Sequence, residues 1–416
     1  MSLHFRNCVA ILLANFFGFH QVQFQWFVFV LFYISTKDSA SVDKLQRDLQ
    51  RILVIEQGLE AVMRVRCSKG LACSTYYGNF LLRGSDLITF PVIDADKTIF
   101  VELRYEENAT NIHTLTHYTI QSALLYSTTS GERRIRVSTI LVPVSSNLMD
   151  LYATISSSVV SHFLMKSAFE LAIKDGLLKA REFVQNRCLA IMSSYRSIGG
   201  ATRLPLATIQ DYPDSLVQLP FFILSILKSI ALKDGTDTCA DDRAAMMHRL
   251  FVSSLRKMEL NLHPRFFCIS DMLADDHIGV IDFITNVCVL PAELVLSASE
   301  LNTEGVYLLD NGLEFFIRIG LSARIEFVNT LFVENDNELI IAPISDSFCS
   351  DLPSRFANIL NFLRDYGRLN QSVRIFKEGS HSKVEAEFLN YLVVDRTMFA
   401  ISYDEFIPFI ARSTAI

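Results

Sequence analysis

The period of the hydrophobic pattern changes twice along this chain, and each change marks a different kind of layer. From Leu59 to Val144, short runs rich in Val, Ile, Thr, Tyr and Phe are bounded by Gly70, Gly78, Gly84, Pro91 and the turn cluster Ser127 to Gly131. That pattern predicts about six strands, because alternate side chains of a pleated strand share one face. Asn147 opens a helical stretch in which Leu148, Leu151, Tyr152, Ile155, Val159 and Phe163 recur on one face, and Leu177 to Ile198 repeats the spacing before Gly199-Gly200. Leu216 to Lys233 is apolar except for Gln218, Ser225, Lys228, Ser229 and Lys233, so it is expected in mid-bundle with only that narrow stripe facing water. After Pro291 strands return. Val306 to Leu309 and Leu313 to Ile319 flank Asp310-Asn311-Gly312, a hairpin signal because Asn and Gly accept the positive φ of tight turns. Helical periodicity follows in Ser354 to Arg368 and again near the C-terminus.

These switches predict a multidomain α+β chain in four parts. Residues 1–41 form an apolar N-terminal segment. Residues 42–146 form an antiparallel β-sandwich or barrel portion, introduced by a helix over Val42 to Gly58, and residues 147–290 form an all-helical bundle. Residues 291–416 form an α/β module with C-terminal helices. The first part is ambiguous in kind: Asn7 to Thr36 carries no Asp, Glu, Lys or Arg and is long enough for a membrane span or a signal. Asn15, His20, Gln21, Gln23 and Gln25 interrupt it, each costly in hydrocarbon unless paired, and no small-residue cleavage site follows. A strand-rich remnant and an unrelated extension are the competing readings.

At 416 residues, 50% of them hydrophobic, the chain can bury sizeable cores without disulfides or metals. A net charge of -7 and no Lys/Arg run of five remove the electrostatic footprint of a nucleic-acid binder. The eight cysteines are scattered singles with no C-x-x-C pair, the usage of buried thiols in a reducing compartment. The match of Asn108-Ala109-Thr110 to a glycosylation acceptor therefore carries no weight. Phosphate-loop, dinucleotide, zincin and hydrolase-elbow motifs are absent, so no cofactor is called for by this sequence. Asp271, Asp275, Asp276 and Asp282, with His277, lack the spacing and glycine of a calcium loop and read as a solvated connector. Asp241-Asp242 reads as a helix start, where carboxylates favour the unpaired first-turn amides.

Arginines provide the candidate chemistry. In a strand, Arg64 and Arg66 point the same way, roughly 7 Å apart, while Met63, Val65 and Cys67 point to the core. Such a fork suits two carboxylates of an extended acidic peptide through charge-assisted bidentate bonds. It equally describes an exposed strand face whose arginines pair with neighbouring carboxylates. Arg134 and Arg136 show the same alternation after the Ser130-Gly131 turn and are read as structural.

Four blocks carry a resemblance: Leu59 to Leu71 (LEAVMRVRCSKGL) running into Tyr76-Tyr77-Gly78-Asn79-Phe80, Asp94 to Tyr105, Gln121 to Ile140, and Gly305 to Gly320. In order and rough spacing they resemble the cargo-selecting adaptor subunit of the COPII inner coat, from about Val42 to about Ile410. The resemblance implies a β-barrel, a helical domain and a gelsolin-like domain, in a non-enzymatic adaptor that exports cargo from the endoplasmic reticulum toward the Golgi. Its implied partners are the GTPase-activating subunit of the same coat, the coat's small GTPase, cytosolic tails of membrane cargo and the endoplasmic reticulum membrane surface. It also implies that Arg64 and Arg66 contribute to a pocket for acidic sorting signals. Relatives carry a zinc module with paired C-x-x-C motifs and a trunk upstream; neither is visible here, and family barrels draw strands from that upstream region, so an open sheet edge is expected. The sister subunit, which stimulates the small GTPase through an arginine, is the alternative.

Overall fold

The computed structural model describes residues 53, 55–94, 97–106, 116–198, 212–235, 238–282, 284–335, 338–341, 351–367, 371–397 and 400–413. The apolar segment 1–41, most of the expected helix that follows it, and Asn108 to Thr110 lie outside these residues. Gly58, expected to stop that helix, instead sits near the start of strand β1 (Gln57–Cys67). A Cβ at this position would lie 2.8 Å from the Tyr126 ring, so the glycine serves close packing rather than helix termination.

Seven strands make a sandwich. β2 is Leu71–Tyr77, β3 Leu81–Arg83, β4 Leu87–Asp94, β5 Phe100–Tyr105, β6 His117–Ser127 and β7 Arg133–Pro143. One sheet runs β3-β4-β1-β6-β7 and the other pairs β2 with β5, all antiparallel. Alternation places Ala61, Met63, Val65, Ile88, Phe90, Ile120 and Leu124 of the large sheet against Ile99, Val101 and Leu103 at the small one. Among the described residues β7 has a neighbour on β6 only.

The helical layer begins with α1 (Leu148–Ala153) and α2 (Ser157–Asp175), two helices where one periodic stretch was expected. The Asn147 side chain accepts from Met149 N–H at 3.1 Å and that of Ser156 from Val159 N–H at 3.5 Å, so each helix has its own start. α3 (Leu177–Ile198), and the helices Leu219–Lys228, Ala240–Val252 and Leu255–Leu262, surround α2. Asp241 and Asp242 lie in the first turn of the third of these, behind the Cys239 cap, acting through the helix dipole without a side-chain cap bond.

The expected water-facing stripe on the helix ending at Lys228 does not exist at its centre. Ser225 and Lys228 are buried. The Ser225 hydroxyl donates to the Phe221 carbonyl at 3.0 Å, and the Lys228 ammonium donates to the carbonyls of Val393 and Asp395, both at 2.6 Å. The C-terminal segment covers the stripe, and the polar atoms find backbone carbonyls, Ser225 in its own helix and Lys228 in that segment, instead of water.

The α/β module starts earlier than residue 291. Strand Arg265–Cys268 pairs antiparallel with Val306–Asp310, which pairs with Glu314–Ile319, which pairs in parallel with Ser372–Lys377. One face packs on the helix Leu352–Gly367 through Phe356, Ile359 and Leu363, the other on Phe388 and Leu392. The short run Arg265–Cys268 follows a helix directly, so periodicity over residues 147–290 is dominated by the helices around it. The last helix, Tyr403–Ser413, returns to the helical layer with Phe406 and Ile410 in its core. The hairpin forms as expected, but inward: Asp310 is fully buried, accepting from Arg265 Nη2 at 2.6 Å and Gln371 Nε2 at 2.5 Å.

Lys166, at the middle of α2, is 0% exposed. Its ammonium donates to the Thr98 carbonyl of the sandwich at 3.2 Å and the Phe251 carbonyl of the helical layer at 2.6 Å. The rings of Phe100 and Phe251 flank it at 5.7 and 5.4 Å. Burial, with the Lys97 charge adding to it, pushes this ammonium down to about 7 from 10.5. The folded state then holds the proton more weakly than the unfolded chain, so this contribution to stability should rise as pH climbs from about 7 toward 10.5. Urea unfolding of the wild type and Lys166→Met at about pH 6 and about pH 9 checks it: the wild type gains on the variant at the higher pH. A difference that does not move with pH rules out Lys166 as the titrating group.

Candidate functional site

The site is built on the outer face of the large sheet. Register fixes which side chains share it: Arg64 opposes Leu87 and Ala123, Ala123 opposes Val137, Arg66 opposes Gln121, and Gln121 opposes Thr139. Val62, Leu125 and Ile135 form the next row. Arg64 and Arg66 therefore point outward together, as the alternation predicts, because Met63 and Val65 between and beside them are in the core.

Their environments differ. Arg64 is half-buried and its Nε stands 3.1 Å from Asp86 Oδ2, with both side chains about 40% exposed. Arg66 is exposed and has no carboxylate partner among the described residues. The Gln121 amide beside it donates to Thr139 Oγ1 at 3.1 Å. One guanidinium is thus held in place by an internal carboxylate and the other faces solvent, an arrangement in which an incoming carboxylate can pair with Arg66 and compete with Asp86 for Arg64.

β7 inverts the usual pattern. Ile135 and Val137 are 71% and 54% exposed on the outer face, and Leu141 continues their row. Arg134 and Arg136 take the opposite face, in register with buried Tyr126 and Leu124. Arg134 pairs with Glu132 at 2.5 Å. This second arginine pair does not join the first. Ile135, Val137, Leu125 and Asp86 belong to the site although sequence analysis passed over them. The strict alternation of Arg133–Pro143 carried the signal, but which half of it faced the core depended on the β6–β7 register.

The acidic connector holds no such site. The Arg355 guanidinium is buried and donates to the carbonyls of Met272, Asp275 and Ile278 at 3.0, 3.1 and 3.2 Å, so the backbone of the cluster wraps a cation. Asp275 and Asp282 carboxylates accept from the N–H groups of His277 and Ile284, both at 2.8 Å. Among the described residues no group of three His, Cys, Asp or Glu converges as a metal site, and no helix is long and apolar enough to cross a membrane.

Two stretches match family models in order: residues 58–145 the Sec23/Sec24 beta-sandwich domain and residues 157–258 the Sec23/Sec24 helical domain. Protein transport protein Sec24B of Homo sapiens is 33% identical over 377 residues, which are 89% of this chain and 29% of that protein. Protein transport protein Sec24A of Homo sapiens is 31% identical over 368 residues, 88% of this chain and 33% of that protein. The chain therefore spans about a third of the length of these curated relatives. The crystal structure of the human COPII-coat protein Sec24c superposes with a TM-score of 0.75 at 24% identity, covering 89% of this chain and 46% of that one, and shares its fold. With the sandwich and helical domains matched in sequence and Sec24 proteins aligned along most of its residues, the chain belongs to the Sec23/Sec24 family as a partial, Sec24-like member.

Proposed function

We propose that this chain acts as a cargo-selecting adaptor of the COPII coat, binding cytosolic sorting signals at the endoplasmic reticulum without catalysing a reaction. The observation that carries this reading is the outer sheet face, which the two arginines of β1 share with exposed Ile135 and Val137 of β7, across Ala123 and Gln121 of β6. Apolar side chains turned to water on the same face as a guanidinium pair, one strand removed from it, fit an extended peptide with carboxylates and an apolar residue. Under this reading the GTPase-activating subunit, the coat's small GTPase and the membrane surface are the remaining partners. Zinc belongs to the upstream module of full-length relatives rather than to these residues.

Replacing both Arg64 and Arg66 by alanine should weaken a di-acidic cargo peptide about tenfold or more, since partly desolvated charge-assisted bonds contribute about 1.5 to 3 kcal/mol and exposed pairs about 0.2 to 1. Wild-type binding should also weaken as salt is raised. Peptide titration at two salt concentrations measures both. Equal affinities with unchanged thermal melting would move the cargo site away from these residues.

Ile135→Ser with Val137→Ser should cost about fivefold in the same titration, by removing apolar surface the peptide would cover. Its salt dependence should match the wild type. A steeper or shallower salt slope would mean the pair acts through the arginines.

The adaptor reading also predicts that adding the purified chain alone leaves the GTP hydrolysis rate of the coat's GTPase unchanged. An arginine finger raises such rates by orders of magnitude, about 10³ to 10⁵. An acceleration of that size would favour the sister-subunit role.

A further inference from the structure

Cys67 ends β1 and Cys73 lies in β2, so the two residues flank the turn at Ser68 to Gly70 that carries the chain from the large sheet to the small one. Their sulfurs are 3.7 Å apart. Both side chains are half-buried and pack against the sandwich core. Among the described cysteines this is the one pair in sulfur contact; Cys188 and Cys288 are buried elsewhere and Cys239 is exposed.

A disulfide needs sulfurs about 2.05 Å apart, so the pair must close by about 1.7 Å. The fold leaves room for that movement on one side. The β2–β5 pairing shifts register between Cys73 and Thr75, a bulge at which the strand can turn Cys73 without losing the pairs on either side. Cys67, in contrast, is held in register with Ile120.

We propose that Cys67 and Cys73 form a dithiol that hydroperoxides convert to an intramolecular disulfide, clasping the two sheets of the sandwich together. The two thiols are not equivalent. The hydrogen bond with Cys67 and the nearby Tyr76 hydroxyl lower the Cys73 thiol, against the effect of its burial. The same contact and burial raise Cys67. Because the bulge lies at Cys73 while Cys67 is held in register, Cys73 is the thiol free to turn toward an oxidant, and it is the nucleophile. Its thiolate attacks one oxygen of the hydroperoxide, the O–O bond breaks, and the departing oxygen leaves as an alcohol, or as water when the oxidant is hydrogen peroxide, after taking a proton. Cys73 is then a sulfenic acid. The Cys67 sulfur attacks the Cys73 sulfur, the S–O bond breaks, and water leaves with the Cys67 proton. Two thiols lose two electrons and two protons in all, and one hydroperoxide is reduced to an alcohol and water.

The test exposes the chain to hydrogen peroxide, blocks the remaining thiols with N-ethylmaleimide, and maps the digest by mass spectrometry. The expected product is the Cys67–Cys73 linked peptide, two hydrogens lighter than the dithiol, accumulating about tenfold faster than oxidation of exposed Cys239. In Cys67→Ser the link is lost and dimedone should trap Cys73 as its sulfenic acid. In Cys73→Ser, Cys67 should stay reduced. Recovery of Cys67 and Cys73 as maleimide adducts after Cys239 has been oxidised would overturn the proposal. So would dimedone labelling of Cys67 rather than Cys73.

Discussion

An ammonium group leaves water only where other oxygens replace its hydration, and Lys166 is placed so that those oxygens belong to two layers at once. The Thr98 carbonyl comes from the sandwich and the Phe251 carbonyl from the helices. Lys228 repeats the device at the opposite boundary, reaching Val393 and Asp395 from the helix Leu219–Lys228. Neither contact can form unless both layers are in place, and a layer that moved away would leave a buried charge unsolvated. That cost makes the relative placement of the layers specific in a way that apolar contact alone, which tolerates sliding, does not.

The outer face of the large sheet depends on this anchoring from behind. Its core side is occupied by the small sheet, whose β5 begins at Phe100, and Phe100 packs against the helical layer next to Lys166. The face carrying Arg64 and Arg66 is therefore held flat against a supported core while its own side chains remain available. Asp86 sets the rest position of Arg64, and an ion pair at this exposure is weak enough to be exchanged for another carboxylate.

Much of the fold is legible in the sequence because period and burial agree over long stretches. The strands between Leu59 and Val144, α3 at Leu177–Ile198, and the hairpin at Asp310-Asn311-Gly312 all follow from local pattern. What escapes is decided by distant residues. Nothing near Lys228 announces that Val393 and Asp395 will cover it, and nothing near Gly58 announces the Tyr126 ring. The strand Arg265–Cys268 is too short to alter the periodicity around it. At the site, the outward direction of Arg64 and Arg66 was readable from Met63 and Val65. The identity of their neighbours required the strand order β1-β6-β7, which no local signal encodes.

The parallel pairing of Ser372–Lys377 with Glu314–Ile319 has a bearing on how the chain is made. On the ribosome, the first strand of that sheet at Arg265 emerges on the order of ten seconds before the last. During that interval the Asp310 carboxylate has its early partner Arg265 but not its late partner Gln371, and the edge of Glu314–Ile319 stands open. The module is thus a part of the nascent chain whose sheet stays incomplete until a distant strand arrives. A chaperone that shields strand edges would find its substrate there, in the window between synthesis of the hairpin and arrival of residue 371.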